Sequence, residues 1–240
     1  MSAVPAIVVT GPGTNRDPDA VLALELAGAA PQVVTAAELI ARPELLTSSR
    51  LALVAGGFSY GDSLGAGRML ALDLELGLGD ALRDFVARGR PLIGICNGFQ
   101  VLTRTGLLPG ALGHNLNGRF DCRWVELDPV PDSRCVWTHG LDQAVHCPIA
   151  HGEGRYVHPD PGALAAAGQI ALRYRGSNPN GSVDHVAGVC DASGRVLGLM
   201  PHPENHVVAR QHPRHDRGVD PAAHLGLHLF RNGVVAAEET

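Results

Sequence analysis

Pro91-Leu92-Ile93-Gly94-Ile95-Cys96-Asn97-Gly98-Phe99-Gln100-Val101-Leu102 is the stretch on which the fold turns. Pro91 to Ile95 reads as a short buried strand, and the residues after Cys96 read as a helix through Leu107. Between them Gly94 and Gly98 flank Cys96 in a G-x-C-x-G pattern, the cysteine counterpart of the G-x-S-x-G elbow. A nucleophile on such a turn takes strained backbone angles, and small residues two positions away on either side relieve the crowding. The following helix aims its N-terminal amides and a partial positive charge at the same point, which favours both a thiolate and an oxyanion. The Asn97 amide is placed to donate to that oxyanion. A structural cysteine between packing glycines is the rival reading of the pentapeptide alone, and the strand before and helix after weigh against it.

The same alternation extends outward. Ala6 to Thr10 reads as a strand, followed by the loop Gly11 to Asn15 and by a helix that Asp17 and Pro18 open towards Ala29. Gln32 to Val34 is a second strand, and Thr35-Ala-Ala-Glu38 has the spacing of a capping box. Leu51 to Ala55 is a third, running into Gly56-Gly57-Phe58-Ser59-Tyr60-Gly61-Asp62. Met69 to Leu82 is read as a helix although leucines at 70, 72, 74, 76 and 78 follow period two. Strands alternating with helices imply βαβ units and an α/β fold on a largely parallel sheet, with functional loops beyond the carboxyl ends of the strands. From Phe120 onward short valine- and tryptophan-bearing runs suggest antiparallel additions, with His185–Cys190 and Arg195–Met200 flanking a hairpin turn at Asp191–Gly194. Pro221 to Phe230 reads as a closing helix, and no linker or repeat divides residues 1–240, so one domain is expected.

Met200-Pro201-His202-Pro203-Glu204 supplies a base and its orienter. Pro203 disfavours helical angles at His202, and in an extended chain side chains two apart point the same way. Glu204 can then meet one imidazole nitrogen of His202 while the other faces a thiol, as in any catalytic triad. Six of the twelve histidines (202, 206, 212, 215, 224, 228) crowd the C-terminal end, but no HExxH or cysteine–histidine cluster accompanies them, so no metal is expected.

Composition narrows the chemistry further. All 19 basic residues are arginine and none is lysine, which excludes phosphate-loop, Schiff-base and general-base lysines. The net charge of −5 gives no basic surface for nucleic acid. Mean hydropathy is +0.06, and Glu25, Asp73 and Glu75 interrupt the apolar runs that would otherwise be candidate membrane spans. The first ten residues lack the charged leader of a secretory signal. Five cysteines without CxxC spacing suit reduced thiols in a cytoplasmic protein. Gly11-x-Gly13-x-x-Arg16 fails the dinucleotide fingerprint at its third glycine, and no GxxxxGK[ST] occurs.

Six blocks then carry a resemblance. They are Gly56–Asp62, Gly94–Leu102, Asn117-Gly-Arg-Phe120 with Cys122-Arg-Trp-Val125, His151-Gly-Glu-Gly-Arg-Tyr156, Asn178-Pro-Asn-Gly-Ser182 and Gly198–Glu204. In this order they resemble the glutamine amidotransferase subunits of phosphoribosylformylglycinamidine synthase, a family of class I, triad amidotransferases in purine biosynthesis. The elbow and His-Pro-Glu are shared by class I amidotransferases, whereas GGFSYGD, HGEGRY and NPNGS are more specific. The resemblance implies a flavodoxin-like sheet flanked by helices. It also implies a glutamyl thioester on Cys96, proton shuttling by His202 and orientation of His202 by Glu204. It further implies oxyanion or substrate contacts from Gly57, Phe58, Asn97, Gln100, His151 and Gly152. Glutamine is the implied substrate. The implied partners are the synthetase subunit, which uses ATP and magnesium, and a small accessory subunit; this chain is expected to hold no cofactor. Departures from the usual pattern at Arg16, Ser63, Gly65 and Asn205 bear on the partner surface rather than the triad. Two rivals share the elbow: a stand-alone cysteine peptidase or gamma-glutamyl hydrolase, and a non-catalytic binding module.

Overall fold

The computed structural model describes residues 3–215 and 224–240. The first half of the chain lays down β1 (Val4–Thr10), α1 (Asp17–Ala27), β2 (Ala29–Thr35), α2 (Ala36–Ala41), α3 (Glu44–Ser48), β3 (Leu51–Val54), α4 (Arg68–Ala87), β4 (Leu92–Ile95) and α5 (Asn97–Arg104). The second half adds β5 (Ala111–Gly113), β6 (Asp121–Pro129), β7 (Val145–His151), β8 (Arg155–Val157), α6 (Pro161–Ala166), β9 (Ile170–Tyr174), β10 (Val186–Cys190), β11 (Val196–Leu199) and α7 (Leu227–Glu238).

Nine strands form one sheet in the order β2-β1-β3-β4-β11-β10-β9-β6-β7, and β5 pairs with β8 apart from it. The strands β2, β1, β3, β4 and β11 pair in parallel, and the pairings from β11 through β10, β9 and β6 to β7 are antiparallel. The α/β fold with antiparallel additions is therefore the observed one. Strands β3, β4 and β11 are buried along their whole length, the pattern of parallel strands covered on both faces. Helix α1 packs with α7, while α4 packs with α2, α3 and α5.

Several boundaries differ from the sequence reading, each for a local reason. Arg16 rather than Asp17 precedes α1, without a side-chain cap, and the helix stops at Gly28 with φ 100°, a left-handed angle that glycine adopts without strain. Thr35 does cap α2, its hydroxyl accepting from the Glu38 amide at 3.1 Å. The two-residue leucine period in α4 resolves into a helical stripe. Leu70, Leu74, Leu78 and Leu82 are buried, four residues apart, whereas Leu72 and Leu76 are exposed. α5 ends at Arg104, ahead of Gly106 with φ 72°, rather than reaching Leu107. The closing helix starts at Leu227 instead of Pro221, and Pro221 to Ala223 lie outside the described residues.

Trp137 anchors α7. It is fully buried, its indole N–H donates to Arg195 O at 2.9 Å, and a Cβ placed on Gly233 would sit 2.6 Å from Trp137 Cε3. Replacing a helical glycine by alanine gains about 1 kcal/mol of propensity, but overpacking a core against an immobile ring costs about 1–3 kcal/mol. Gly233→Ala is therefore expected to lower the urea midpoint, and a midpoint at or above wild type would show that Trp137 moves freely.

Candidate active site

Strand register brings the sequence motifs together. Gly94 pairs with Gly198 and Ile95 with Leu199 across the parallel β4–β11 ladder, and the Cys96 amide donates to Leu199 O at 2.8 Å. The chain leaving β4 at Cys96 and the chain leaving β11 at Met200 thus start side by side. β3 flanks β4 on the other side and runs into Gly56. All three motif loops leave the same, carboxyl, end of the sheet.

Cys96 has φ 50° and ψ −103° and immediately precedes α5. Its neighbours explain how the turn survives. A Cβ on Gly94 would lie 2.6 Å from Gly98 O, and one on Gly98 would run into the Val54 carbonyl. The small flanking residues expected of an elbow are thus required by backbone packing. The thiol is buried and its Sγ lies 3.8 Å from Ala150 O.

His202 and Glu204 are buried, and Nδ1 of His202 meets Oε1 of Glu204 at 2.6 Å. The backbone is not the plain extended run expected, because Pro203–Asn205 form a single 3-10 turn, yet the two side chains still converge. The His202 amide donates to Pro148 O at 2.8 Å, tying the base to β7. Burial opposes a charged ring here, but the Glu204 carboxylate and the Cys96 sulfur outweigh it, and the His202 pKa is pushed up to about 10. The second carboxylate oxygen of Glu204 is buried with no partner among the described residues. Cys135 and Cys147 differ in kind, since complete burial pushes both thiols well above their ordinary value.

The glycine-rich loop after β3 packs against the base and the elbow. A Cβ on Gly56 would lie 2.9 Å from His202 Cε1, and Gly57, with φ 129°, leaves no room for one beside the Asn15 amide at 2.7 Å. Phe58 is partly exposed, its ring 6.3 Å from that of Phe120. Asn97 clamps this loop to the elbow. Its Oδ1 accepts from the Ser59 amide at 3.3 Å and hydroxyl at 2.5 Å, and its Nδ2 donates to Asp62 at 3.2 Å and Gln100 Oε1 at 3.0 Å. Gln100 Nε2 in turn donates to Glu153 O at 2.7 Å. The Gln100 side chain is thus engaged with its own protein.

His151 and Gly152 adjoin the thiol through Ala150. Their carbonyls accept from Asn115, the His151 O from Nδ2 at 2.9 Å and the Gly152 O from the Asn115 amide at 2.8 Å. Asn115 Oδ1 accepts from the Gly154 amide at 3.0 Å and faces His151 Nδ1 at 3.1 Å. Burial and the nearby His202 lower the His151 pKa to about 4. Asn180 Nδ2 donates to Gly154 O at 2.7 Å, and Ser182 Oγ accepts from the Tyr156 amide at 2.9 Å. The Asn-Pro-Asn-Gly-Ser block therefore holds the His-Gly-Glu-Gly-Arg-Tyr turn in place. Asn115 escapes sequence reasoning because an isolated asparagine outside any motif carries no signal. Arg16, a departure from the usual pattern, pairs with Asp19 at 3.3 Å on the surface of α1.

Three of the C-terminal histidines, His206, His212 and His224, form an aromatic group with Trp124 and His146. The His206 and His212 rings lie 5.2 and 4.9 Å from Trp124, and His146 stacks on His224 at 4.0 Å. Among the described residues no three His, Cys, Asp or Glu side chains are placed to share a metal ion. A strained thiol beside a carboxylate-backed imidazole, at a helix N-terminus and under a glycine-rich loop, can attack a carbonyl, hold the resulting oxyanion and pass a proton to the leaving group.

Comparison with known proteins adds kinship to this geometry. Residues 3–235 match the family model described as the CobB/CobQ-like glutamine amidotransferase domain. The chain is 44% identical to the phosphoribosylformylglycinamidine synthase subunit PurQ of Treponema denticola, over 95% of this chain and 97% of the relative. It is 40% identical to the same subunit of Dehalococcoides mccartyi over 100% of both chains. Among solved structures, a chain of PurLQS from Thermotoga maritima matches with a TM-score of 0.79 and 36% identity, covering 96% of this chain and 97% of that one.

The histidine shifts fix how stability follows pH. His202 titrates near 6.5 when unfolded and near 10 when folded, so its stabilisation is complete below pH 6.5 and fades as pH rises through 10. His146 and His151 titrate near 4 when folded, so the unfolded chain binds extra protons below pH 6.5 and stability falls towards pH 4. Denaturant unfolding should accordingly show greatest stability near pH 6.5. Glu204→Gln should flatten the decline between pH 6.5 and about 8.5, before unfolded thiols begin to ionise. An unchanged slope in that window would mean that Glu204 does not hold the His202 proton.

Proposed function

The chain belongs to the CobB/CobQ-like glutamine amidotransferase family, and we propose that it is the glutaminase subunit of phosphoribosylformylglycinamidine synthase in purine biosynthesis. The relatives that span its length carry that name. The observation that carries the chemistry is the buried His202–Glu204 pair set beside a strained Cys96 at the head of α5.

In this reading the Cys96 sulfur adds to the carboxamide carbon of glutamine. Charge gathers on the carboxamide oxygen, and the amides of Gly57 or Phe58 and of Asn97 are the donors we assign to it. Preorganised donors of this kind are worth roughly two to three orders of magnitude in turnover each. The carbon–nitrogen bond then breaks as His202 gives its proton to the departing ammonia, leaving a glutamyl thioester. His202 next takes a proton from water, the hydroxide adds to the thioester, and glutamate leaves with the thiol restored. Glu204 holds the ring with Nδ1 inward throughout and steadies the imidazolium. Gln100, His151 and Gly152 shape the glutamine pocket, the first through Asn97 and Glu153 and the other two through Asn115.

The relative of known structure is part of PurLQS, so the partners assigned to this chain are the synthetase subunit and the small subunit of that assembly. ATP and magnesium belong to the synthetase in this scheme, which agrees with a chain that has neither lysine nor a phosphate loop. We assign residues 1–240 to one amidotransferase domain acting in the cytoplasm. A reducing compartment agrees with five free cysteines, and no described helix is long and apolar enough to cross a membrane.

The test is reconstitution with the synthetase and small subunits. Cys96→Ala should reduce glutamine-dependent synthesis by roughly 10³-fold or more and leave synthesis from ammonium salts intact. Equal loss of both activities, or undiminished use of glutamine, would overturn the assignment.

A further inference from the structure

A second concavity opens where β6 and β9 part. Strands β6 and β9 pair only between Leu127–Pro129 and Leu172–Tyr174. The Arg175 amide makes one more bond, to Glu126 O at 2.8 Å, and the two chains then part. The gap is a cleft of about 850 Å³ whose walls include Arg123 and Trp124 from β6, His146 from β7, Arg175, and His212 and Arg214 from the segment that follows the triad. That volume lies within the ordinary range of small-molecule sites. Cys96, His202 and Glu204 do not line it.

Its charge is opposite to that of the chain. The protein carries a net charge of −5, yet three arginines line this cleft against one carboxylate, Glu126. Two of the three are paired with carboxylates. Arg123 pairs with Asp121 at 2.8 Å, and Arg175 Nε donates to Asp128 at 2.7 Å, while both side chains remain about half exposed, at 48% and 50%. Arg175 Nη1 also lies 3.7 Å from Glu126 Oε2, whereas Arg123 is held through Nη2 and keeps further donors for an anion with several oxygens. Forked donors of this kind match phosphate.

The remaining wall is aromatic. The Trp124 ring meets His206 and His212 edge-on at 5.2 and 4.9 Å, those two rings lie 5.3 Å from each other, and His146 is stacked on His224 with an interplanar angle of 1°. His206 is fully buried behind Trp124, with Nδ1 on His146 O at 2.7 Å and Nε2 without a partner among the described residues. Flat, rigid side chains beside clustered guanidiniums provide for a ligand that joins a planar ring to an anionic group.

We propose that this cleft binds a nucleoside phosphate, its phosphate held by Arg123, Arg175 and Arg214 and its base lying against Trp124 and the adjoining histidine rings. The site is separate from the amidotransferase centre, and its occupation does not depend on the assignment of Cys96.

Trp124 provides the readout, because the chain has two tryptophans and the other, Trp137, is fully buried. The full chain is titrated with AMP, GMP and UMP, with adenosine, and with inorganic phosphate, followed by tryptophan fluorescence and by calorimetry. At least one nucleotide should saturate and bind about tenfold or more tightly than either adenosine or phosphate alone. The double variant Arg123→Ala/Arg214→Ala should lose about tenfold or more in affinity, with its thermal unfolding and glutaminase rate unchanged. Trp124→Phe should abolish the fluorescence change while calorimetry still detects binding. Absence of saturable nucleotide binding at millimolar concentration overturns the proposal. Equal binding of inorganic phosphate reduces the cleft to a simple anion site and also overturns it. If nucleotides fail to bind while the double variant weakens association with the synthetase, the cleft is instead a docking surface for an acidic protein segment.

Discussion

The backbone at Cys96 holds φ 50° and ψ −103°, which no residue with a side chain adopts without strain. Such a conformation costs on the order of 1–3 kcal/mol and lasts only where its surroundings over-determine it. Here they do. The Cys96 amide is taken by Leu199 O, Gly98 is pressed against Val54, and Gly94 against Gly98, so β3, β4, β11 and α5 meet around one residue with no spare volume. Relaxing the turn requires moving three adjacent strands of the sheet. The consequence is chemical as well as steric, because the sulfur is thrust off the end of the sheet instead of into its core.

A buried ion pair is poor support for stability, since the desolvation of two charges offsets most of their attraction. The His202–Glu204 pair is therefore better understood through what it does for the proton. One carboxylate oxygen meets Nδ1 at 2.6 Å and the other is left buried and unpartnered, an arrangement that stabilises a charged ring and little else. The pair is sited where the charge is used, within reach of the thiol and against Gly56, the first residue of the glycine-rich loop. Asn97 completes the assembly from below. By bonding Ser59, Asp62 and Gln100 at once it sets the position of that loop relative to the nucleophile, and its side chain is almost entirely buried in doing so.

Much of this was legible in the chain because it is local. A strand, a turn that needs two glycines and a helix leave their marks within a dozen residues, and the alternation of such units implies a parallel sheet. Histidine and glutamate two residues apart were readable as a pair, although the 3-10 turn that joins them was not. The helical reading of α4 holds although its leucines are ambiguous in sequence, because a period of two and a period of four coincide at every second position and only burial of Leu70, Leu74, Leu78 and Leu82 separates them. Asn115 stayed hidden for a deeper reason. Its six polar contacts reach Gly118, Arg119, His151, Gly152 and Gly154, and most of these partners lie more than thirty positions away. Nothing in a stretch of His114-Asn115-Leu116 announces such a reach.

The antiparallel extension gives the elbow its particular use. A parallel core of β1, β3, β4 and β11 would present the thiol and the imidazole, but neither would have an outer wall. β7 supplies one, with Pro148 O fixing the His202 backbone and Ala150 O facing the sulfur. Strand β6 pairs with β7 over seven consecutive positions, from Asp121–His151 to Leu127–Val145, which holds that edge strand straight. Because side chains alternate along β7, Cys147, Ile149 and His151 face inward, and His146 faces the opposite cleft. One strand thus contributes His146 to the arginine-lined cavity and Pro148 O to the backbone of the base. The His202 amide bonds to Pro148 O and His206 Nδ1 lies 2.7 Å from His146 O, so β7 ties the segment that carries the base at two points.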